Sequence, residues 1–106
     1  MANVADVTDA SFQAEVLESP EPVLVDFWAP WCGPCRAVSP VLEQISDERG
    51  LRVVKLNTDE NQQVAAQYPI LSLPTMILFK GGQPATKIIG AYPTKKLEAQ
   101  LEPALA

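Results

Sequence analysis

The sequence predicts an α/β fold: a sheet with helices packed on its faces. Three observations carry this. Strand-length apolar runs alternate with stretches of helical periodicity along the 106 residues. Val23-Leu24-Val25-Asp26-Phe27-Trp28 is apolar at all positions but one, which marks a central strand buried on both faces. Pro20, Pro22, Gly50 and the Gly81-Gly82 pair fall between these segments, where chain breakers belong. The length suits one domain, 1–106, with a single core.

The elements follow in order. Val4 and its neighbours can add an edge strand. Thr8 can cap a helix over about 9–18 that turns Phe12, Val16 and Leu17 inward. Pro20 and Pro22 end it, and the Val23–Trp28 strand follows. A long helix is expected from about Cys32 to Arg49, with Val38, Val41, Leu42 and Ile45 as its apolar stripe. Pro40 lies inside it and removes one hydrogen bond, so a kink is expected there. Gly50 stops the helix. Leu51–Asn57 reads as the next strand, and Thr58 or Asp59 can cap a short helix through about Gln67. Thr75–Phe79 is a strand, and Gly81-Gly82 turns it into a hairpin with a strand over about 85–90. The last helix starts near Thr94 and carries Leu97, Leu101 and Leu105 at i, i+4, i+8. Pro103 is expected to fray or kink its end.

Composition excludes several functions. The net charge is −5 and no cluster of Lys and Arg exists, so the counterion release that drives nucleic acid binding is missing. No apolar run approaches the roughly 18 residues of a membrane span. Met1-Ala2-Asn3-Val4-Ala5-Asp6 lacks the basic and apolar regions of a signal peptide, which favours the cytoplasm; the alternative is a plastid-type compartment reached by a cleaved transit peptide that would leave no trace here. Histidine is absent, which removes Cys-His and Ser-His nucleophile pairs. Two cysteines cannot complete a structural zinc site within one chain. No cofactor is expected. The acidity favours a dispersed monomer.

Both cysteines lie in Trp31-Cys32-Gly33-Pro34-Cys35, at the expected start of the long helix. A thiolate, not a thiol, attacks a disulfide. The unpaired N–H groups of a first helical turn favour the thiolate. Cys32 is therefore expected to be the exposed attacking sulfur. Cys35, one turn in, is expected to be more buried and to resolve the mixed disulfide. Gly33 and Pro34 bring no charge that would stabilise the thiolate pair, so the dithiol should be a good reductant rather than an oxidase or isomerase. A structural bridge and a half-site for a shared metal are the alternatives. The loop is too short for the first to stabilise much.

Asp26 interrupts the most apolar strand. It reads as a buried acid with a raised pKa that exchanges a proton with Cys35, as a structural ion pair, or as a strand-end residue facing solvent. Lys55, in Val54-Lys55-Leu56, is either its partner on the neighbouring strand or a solvent-facing lysine. Trp31 can form an apolar docking rim with Gly33, Pro34, Ile70 and Leu73, or can belong to the core. Trp28 is expected to pack beneath. Pro74, in Leu73-Pro74-Thr75, cannot donate to a ladder. A cis bond there would free the Leu73 backbone for an extended substrate, although general frequencies favour trans.

Phe27-Trp28-Ala29-Pro30-Trp31-Cys32-Gly33-Pro34-Cys35-Arg36 closely resembles the active-site segment of the thioredoxin family. The resemblance spans essentially the whole chain: Val25-Asp26-Phe27 precedes the motif, and Pro40, Lys55-Leu56-Asn57-Thr58-Asp59, Leu73-Pro74-Thr75, Phe79-Lys80-Gly81-Gly82 and Gly90-Ala91 follow. It implies a thioredoxin fold, with a central mixed sheet of four to five strands flanked by four helices, and a cis proline facing the cysteines. The function it implies is general protein disulfide reduction. It further implies Cys32 as nucleophile, Cys35 as resolving thiol, Asp26 as proton carrier, Lys55 as its neighbour, Pro74 as the substrate-side turn, and Gly90 and Ala91 in the docking surface. The implied electron donor is a thioredoxin reductase dependent on NADPH or ferredoxin. Implied targets include peroxiredoxins, ribonucleotide reductase and methionine sulfoxide reductase. The alternative is a non-catalytic binding subunit using the same surface. Pro69 stands where the family usually has Gly, and Tyr92 and Pro93 where it often has smaller residues. These departures can narrow partner choice.

Overall fold

A computed structural model describes residues 4–106. Met1–Asn3, part of the segment read for a signal peptide, lie outside the described residues. The chain runs β1 (Val4–Asp6), α1 (Gln13–Leu17), β2 (Val23–Trp28), α2 (Gly33–Arg49), β3 (Arg52–Asn57), α3 (Gln62–Gln67), β4 (Thr75–Lys80), β5 (Gln83–Ile89) and α4 (Thr94–Leu105). The strands form one mixed sheet in the order β1-β3-β2-β4-β5. β3 is parallel to both β1 and β2, whereas β4 is antiparallel to β2 and β5.

Strand alternation on β2 divides the core in two. Val23, Val25 and Phe27 face α1 and α3 through Phe12, Val16 and Val64. Leu24 faces the other layer, with Val38, Leu42 and Ile45 of α2 and Leu97 and Leu101 of α4. β2 is therefore covered on both sides, as its continuous apolar run requires. Asp26 shares the parity of Leu24, so the one acidic residue of the strand is directed at the α2 layer.

Most elements lie where the sequence places them, and three differ. The helix expected over 9–18 narrows to Gln13–Leu17 and winds with an i→i+5 bond, Glu18 N–H to the Gln13 carbonyl at 2.9 Å. Thr8 still caps the turn leading into it, its hydroxyl accepting from the Ser11 N–H at 3.1 Å. α3 starts at Gln62 instead of after Thr58 or Asp59. Thr58 is occupied at the end of β2, its N–H and hydroxyl both donating to the Trp28 carbonyl. The side chain that caps α3 comes from Asp9, whose carboxylate accepts the N–H groups of Gln63 and Val64 at 3.2 and 3.0 Å. The end of α4 does not fray at Pro103. It continues to Leu105, where the Lys80 ammonium donates to the Ala104 carbonyl. α2 likewise runs through Pro40 to Arg49 and ends at Gly50 with φ 62°.

The β4–β5 hairpin turns on two glycines with positive φ, 59° at Gly81 and 79° at Gly82. At Gly82 a Cβ would stand 2.8 Å from the Leu17 carbonyl oxygen, so this turn is also the contact with the end of α1. Among the described residues no helix is long and apolar enough to cross a membrane.

Candidate active site

The site is assembled at the C-terminal end of β2. The strand runs out through Trp28, and the loop Ala29–Trp31 leads directly into α2. Cys32 is the N-cap of α2, with extended backbone at φ −90°, ψ 108°. Its Sγ accepts the Cys35 N–H at 3.1 Å, so the sulfur occupies the place of a capping oxygen. Pro34 lies in the first turn, where its missing N–H costs nothing. Cys32 and Cys35 are joined as a disulfide across this turn, with Cα atoms 5.3 Å apart. The loop ahead is tied down by Arg36, whose guanidinium donates to the Pro30 carbonyl at 2.8 Å.

One expectation is corrected here. Cys32 is not exposed: it is 4% accessible, against 2% for Cys35. In the disulfide the Cys32 sulfur turns back over the helix start, bonded to Cys35 Sγ and aligned with the Cys35 N–H. The two cysteines therefore differ little in burial.

Asp26 lies directly opposite Lys55 in the β2–β3 register. The carboxyl is buried, and its Oδ1 has no hydrogen-bond partner. A cavity of about 40 Å³ adjoins it, lined by Val4, Ser39, Leu42, Glu43 and Lys55. Ser39 reaches back to the Cys35 carbonyl, donating at 3.3 Å, so this cavity sits one helical turn beneath the cysteines. Burial pushes the Asp26 pKa up to about 7, while the nearby Lys55 charge opposes the rise without cancelling it. The Lys55 ammonium lies over the Trp28 ring, 5.2 Å from its centroid. Trp28 is half-buried, and its indole N–H has no hydrogen-bond partner.

The opposite wall is the segment before β4. The Leu73–Pro74 bond is cis and Pro74 is buried. Phe27 pairs with Thr75, which places Pro74 at the end of β2 where the cysteine loop departs. The Pro74 carbonyl accepts from the Gly90 N–H at 2.9 Å, fastening β5 to this wall. Trp31, Gly33, Pro34 and Ala91 are exposed, and Ile70, Leu73 and Gly90 are half-buried. Of the unusual residues, Pro69 is exposed and Pro93 stands at the N-cap position of α4 without a side-chain capping bond. Tyr92 packs against Gly90 and the α4 side of the core.

The thioredoxin family model matches residues 3–103. The chain belongs to the thioredoxin family. It is 56% identical over 104 residues to thioredoxin 1 of Nostoc sp., covering 96% of this chain and 97% of that protein. It is 55% identical, with the same coverage, to the thioredoxin of Synechocystis sp.. A bifunctional thioredoxin reductase/thioredoxin of Mycobacterium leprae is 58% identical over 88 residues, 81% of this chain and 19% of that protein. As a member of this family, the chain is a thiol–disulfide oxidoreductase that reduces protein disulfides, cycling between the Cys32/Cys35 dithiol and disulfide. The non-catalytic binding reading is not favoured.

Sequence reasoning missed one part of the site. Asp59 accepts the Trp31 indole N–H at 3.2 Å, and its own N–H is held by the Asn57 side chain at 2.9 Å. In sequence Asp59 reads only as a helix cap. Nothing in its local context signals a partner 28 residues upstream.

Proposed function

We propose that reduction runs through Cys32 as the attacking sulfur and Cys35 as the resolving one. The observation that carries this order is the N-cap position of Cys32: its sulfur faces the amide and the positive end of α2, which favour a thiolate there. The Cys32 thiolate forms a bond to one sulfur of the target disulfide, and the other sulfur leaves as thiolate. Asp26 takes the proton of Cys35 through the small cavity by Ser39. The Cys35 thiolate then bonds to Cys32 Sγ, which releases the second target sulfur. The target gains two electrons and two protons, and the Cys32–Cys35 dithiol gives them up. With its pKa near 7, Asp26 is matched to proton transfer at neutral pH. Lys55 holds that value down.

The docking surface consists of Trp31, Gly33, Pro34, Ile70, Leu73, Gly90 and Ala91, with the backbone before Pro74 pairing with the extended target. The chain acts as a monomeric, single-domain electron carrier in the cytoplasm. A thioredoxin reductase re-reduces it. The fusion of the two activities in the Mycobacterium leprae relative supports that partnership. Disulfide-containing proteins such as peroxiredoxins, ribonucleotide reductase or methionine sulfoxide reductase are its targets.

The test is the equilibrium potential of the Cys32–Cys35 pair in a thiol redox buffer. A value below the glutathione poise fits a reductant. A value above about −200 mV would overturn the direction assigned to the pair.

A further inference from the structure

Cys35, Ser39 and Leu42 run down one face of α2 at i, i+4 and i+7. Cys35 and Leu42 are buried, yet the half-buried residue between them carries a hydroxyl. Serine inside a helix is less favourable than alanine. Its side chain here donates to the Cys35 carbonyl at 3.3 Å, which is long for an O–H···O bond. In any α-helix that carbonyl also accepts the Ser39 N–H, so the backbone does not depend on the hydroxyl. The hydroxyl is free to turn away.

Ser39 also lines the cavity that adjoins Asp26, whose Oδ1 has no hydrogen-bond partner. The charged groups sharing that cavity with Asp26 are Lys55 from β3 and Glu43 from α2. From β4 Asp26 meets Met76, which does not titrate. An ammonium only donates and a carboxylate only accepts, whereas the Ser39 hydroxyl does both and stays neutral. At about 40 Å³ the cavity has room for a water molecule, about 30 Å³ in the liquid.

We infer that Ser39 is a positioning residue for the proton step, its hydroxyl linking the Cys35 thiol to the Asp26 carboxylate across this cavity. The inference rests on the proposed role of Asp26 as acceptor. The Cys35 S–H bond breaks and its proton passes to the Ser39 oxygen. The Ser39 O–H proton passes to Asp26 Oδ1 by way of a water in the cavity. One thiolate forms, one carboxylate is protonated, the serine is unchanged and no electrons move.

The test uses the full reduced chain and a small aromatic disulfide, which releases one aromatic thiolate when Cys32 attacks and a second when Cys35 does. The rate of the second release is independent of disulfide concentration and is followed from pH 5.5 to 9. Ser39→Val and Ser39→Thr give side chains of the same shape that differ in the hydroxyl. Ser39→Val is expected to slow the second release about tenfold at pH 7. At pH 9 the loss should shrink to less than about twofold, because a thiol of ordinary pKa, about 8.5, ionises there without a base. Ser39→Thr is expected to stay within about twofold of the wild-type protein throughout. The first release and the reduction potential should not change. In an Asp26→Asn background Ser39→Val is expected to add less than about twofold, since the two residues act as a unit. Equal slowing by the two Ser39 variants would overturn the inference, as would a loss that persists at pH 9. If Asp26→Asn itself keeps the wild-type rate at pH 7, the Asp26 reading fails and takes this one with it. A slow Asp26→Asn beside a normal Ser39→Val removes Ser39 alone.

Discussion

Replacing Asp26 with Asn removes a charge that the fold pays to keep, and the size of that charge cost follows from the structure. The carboxyl is 2% exposed, and its pKa rises from 3.8 to about 7, driven by burial and opposed by Lys55. Below pH 3.8 the carboxyl is protonated in both folded and unfolded chains and costs nothing. Between 3.8 and 7 the unfolded chain releases the proton while the folded one retains it, so stability falls as pH rises. Above 7 both are ionised and the loss is constant. At about 1.36 kcal/mol per pH unit, the full loss is about 4 kcal/mol, with about 2 kcal/mol already present at pH 5.5. The disulfide form of Asp26→Asn is therefore expected to gain stability relative to the wild-type protein as pH rises, levelling off above 7. Urea denaturation at half-unit steps from pH 4 to 9 reads this directly. With a slope of about 1.5 kcal/mol/M, the difference in midpoint should grow by about 2–3 M across the range. Only the pH-dependent part matters, because any packing change from the substitution is constant. Parallel midpoint curves for the two proteins would refute the buried ionisation. On the proposed mechanism the same variant reduces targets more slowly at neutral pH, and an unaltered rate would remove Asp26 from proton transfer.

Cys32→Ser is expected to abolish turnover. Cys35→Ser is expected to accumulate mixed disulfides with target proteins, and their absence on non-reducing gels would contradict the assigned order of attack. Lys55→Met removes the charge that opposes the rise at Asp26. The Asp26-dependent inflection in the pH–rate profile should move upward, and a downward move would show that another group controls it. Gly82→Ala places a Cβ 2.8 Å from the Leu17 carbonyl at φ 79°, so a loss of about 1–3 kcal/mol is expected in thermal or urea unfolding, without change in reduction potential.

What the sequence made legible was whatever depends on neighbours in the chain. The β2 run, the α2 stripe, the Gly81-Gly82 turn and the dithiol at a helix start are all local patterns, and each stands where the pattern places it. The site's long-range contacts were not legible. The cap of α3 comes from Asp9, more than fifty residues away, so inspection of Thr58 and Asp59 puts the helix start too early. Asp59 instead binds Trp31. The burial of Cys32 depends on how the disulfide folds over the helix start, which residue type does not encode. The cis bond before Pro74 followed from family resemblance alone, since frequencies for an isolated Leu-Pro pair favour trans.

The placement of Asp26 explains why an apolar strand carries an acid at all. Leu24 and Asp26 point into the same layer, and a second aliphatic residue there would pack against Leu42 without any ionisation cost. The structure instead keeps a carboxyl with an unpaired oxygen beside a cavity, at a cost of about 4 kcal/mol once it ionises. That is a large share of the 5–15 kcal/mol typical of a domain. A full ion pair with Lys55 would lessen the cost, but it would also return the pKa toward 3.8 and leave a poor proton acceptor at neutral pH. The geometry holds an intermediate: Lys55 lies near enough to oppose the rise, yet its ammonium rests over Trp28. The carboxyl is thereby left half-ionised near neutrality, one helical turn below the thiol whose proton it is proposed to take. On the proposed mechanism, the stability given up at this position is what makes the acid usable.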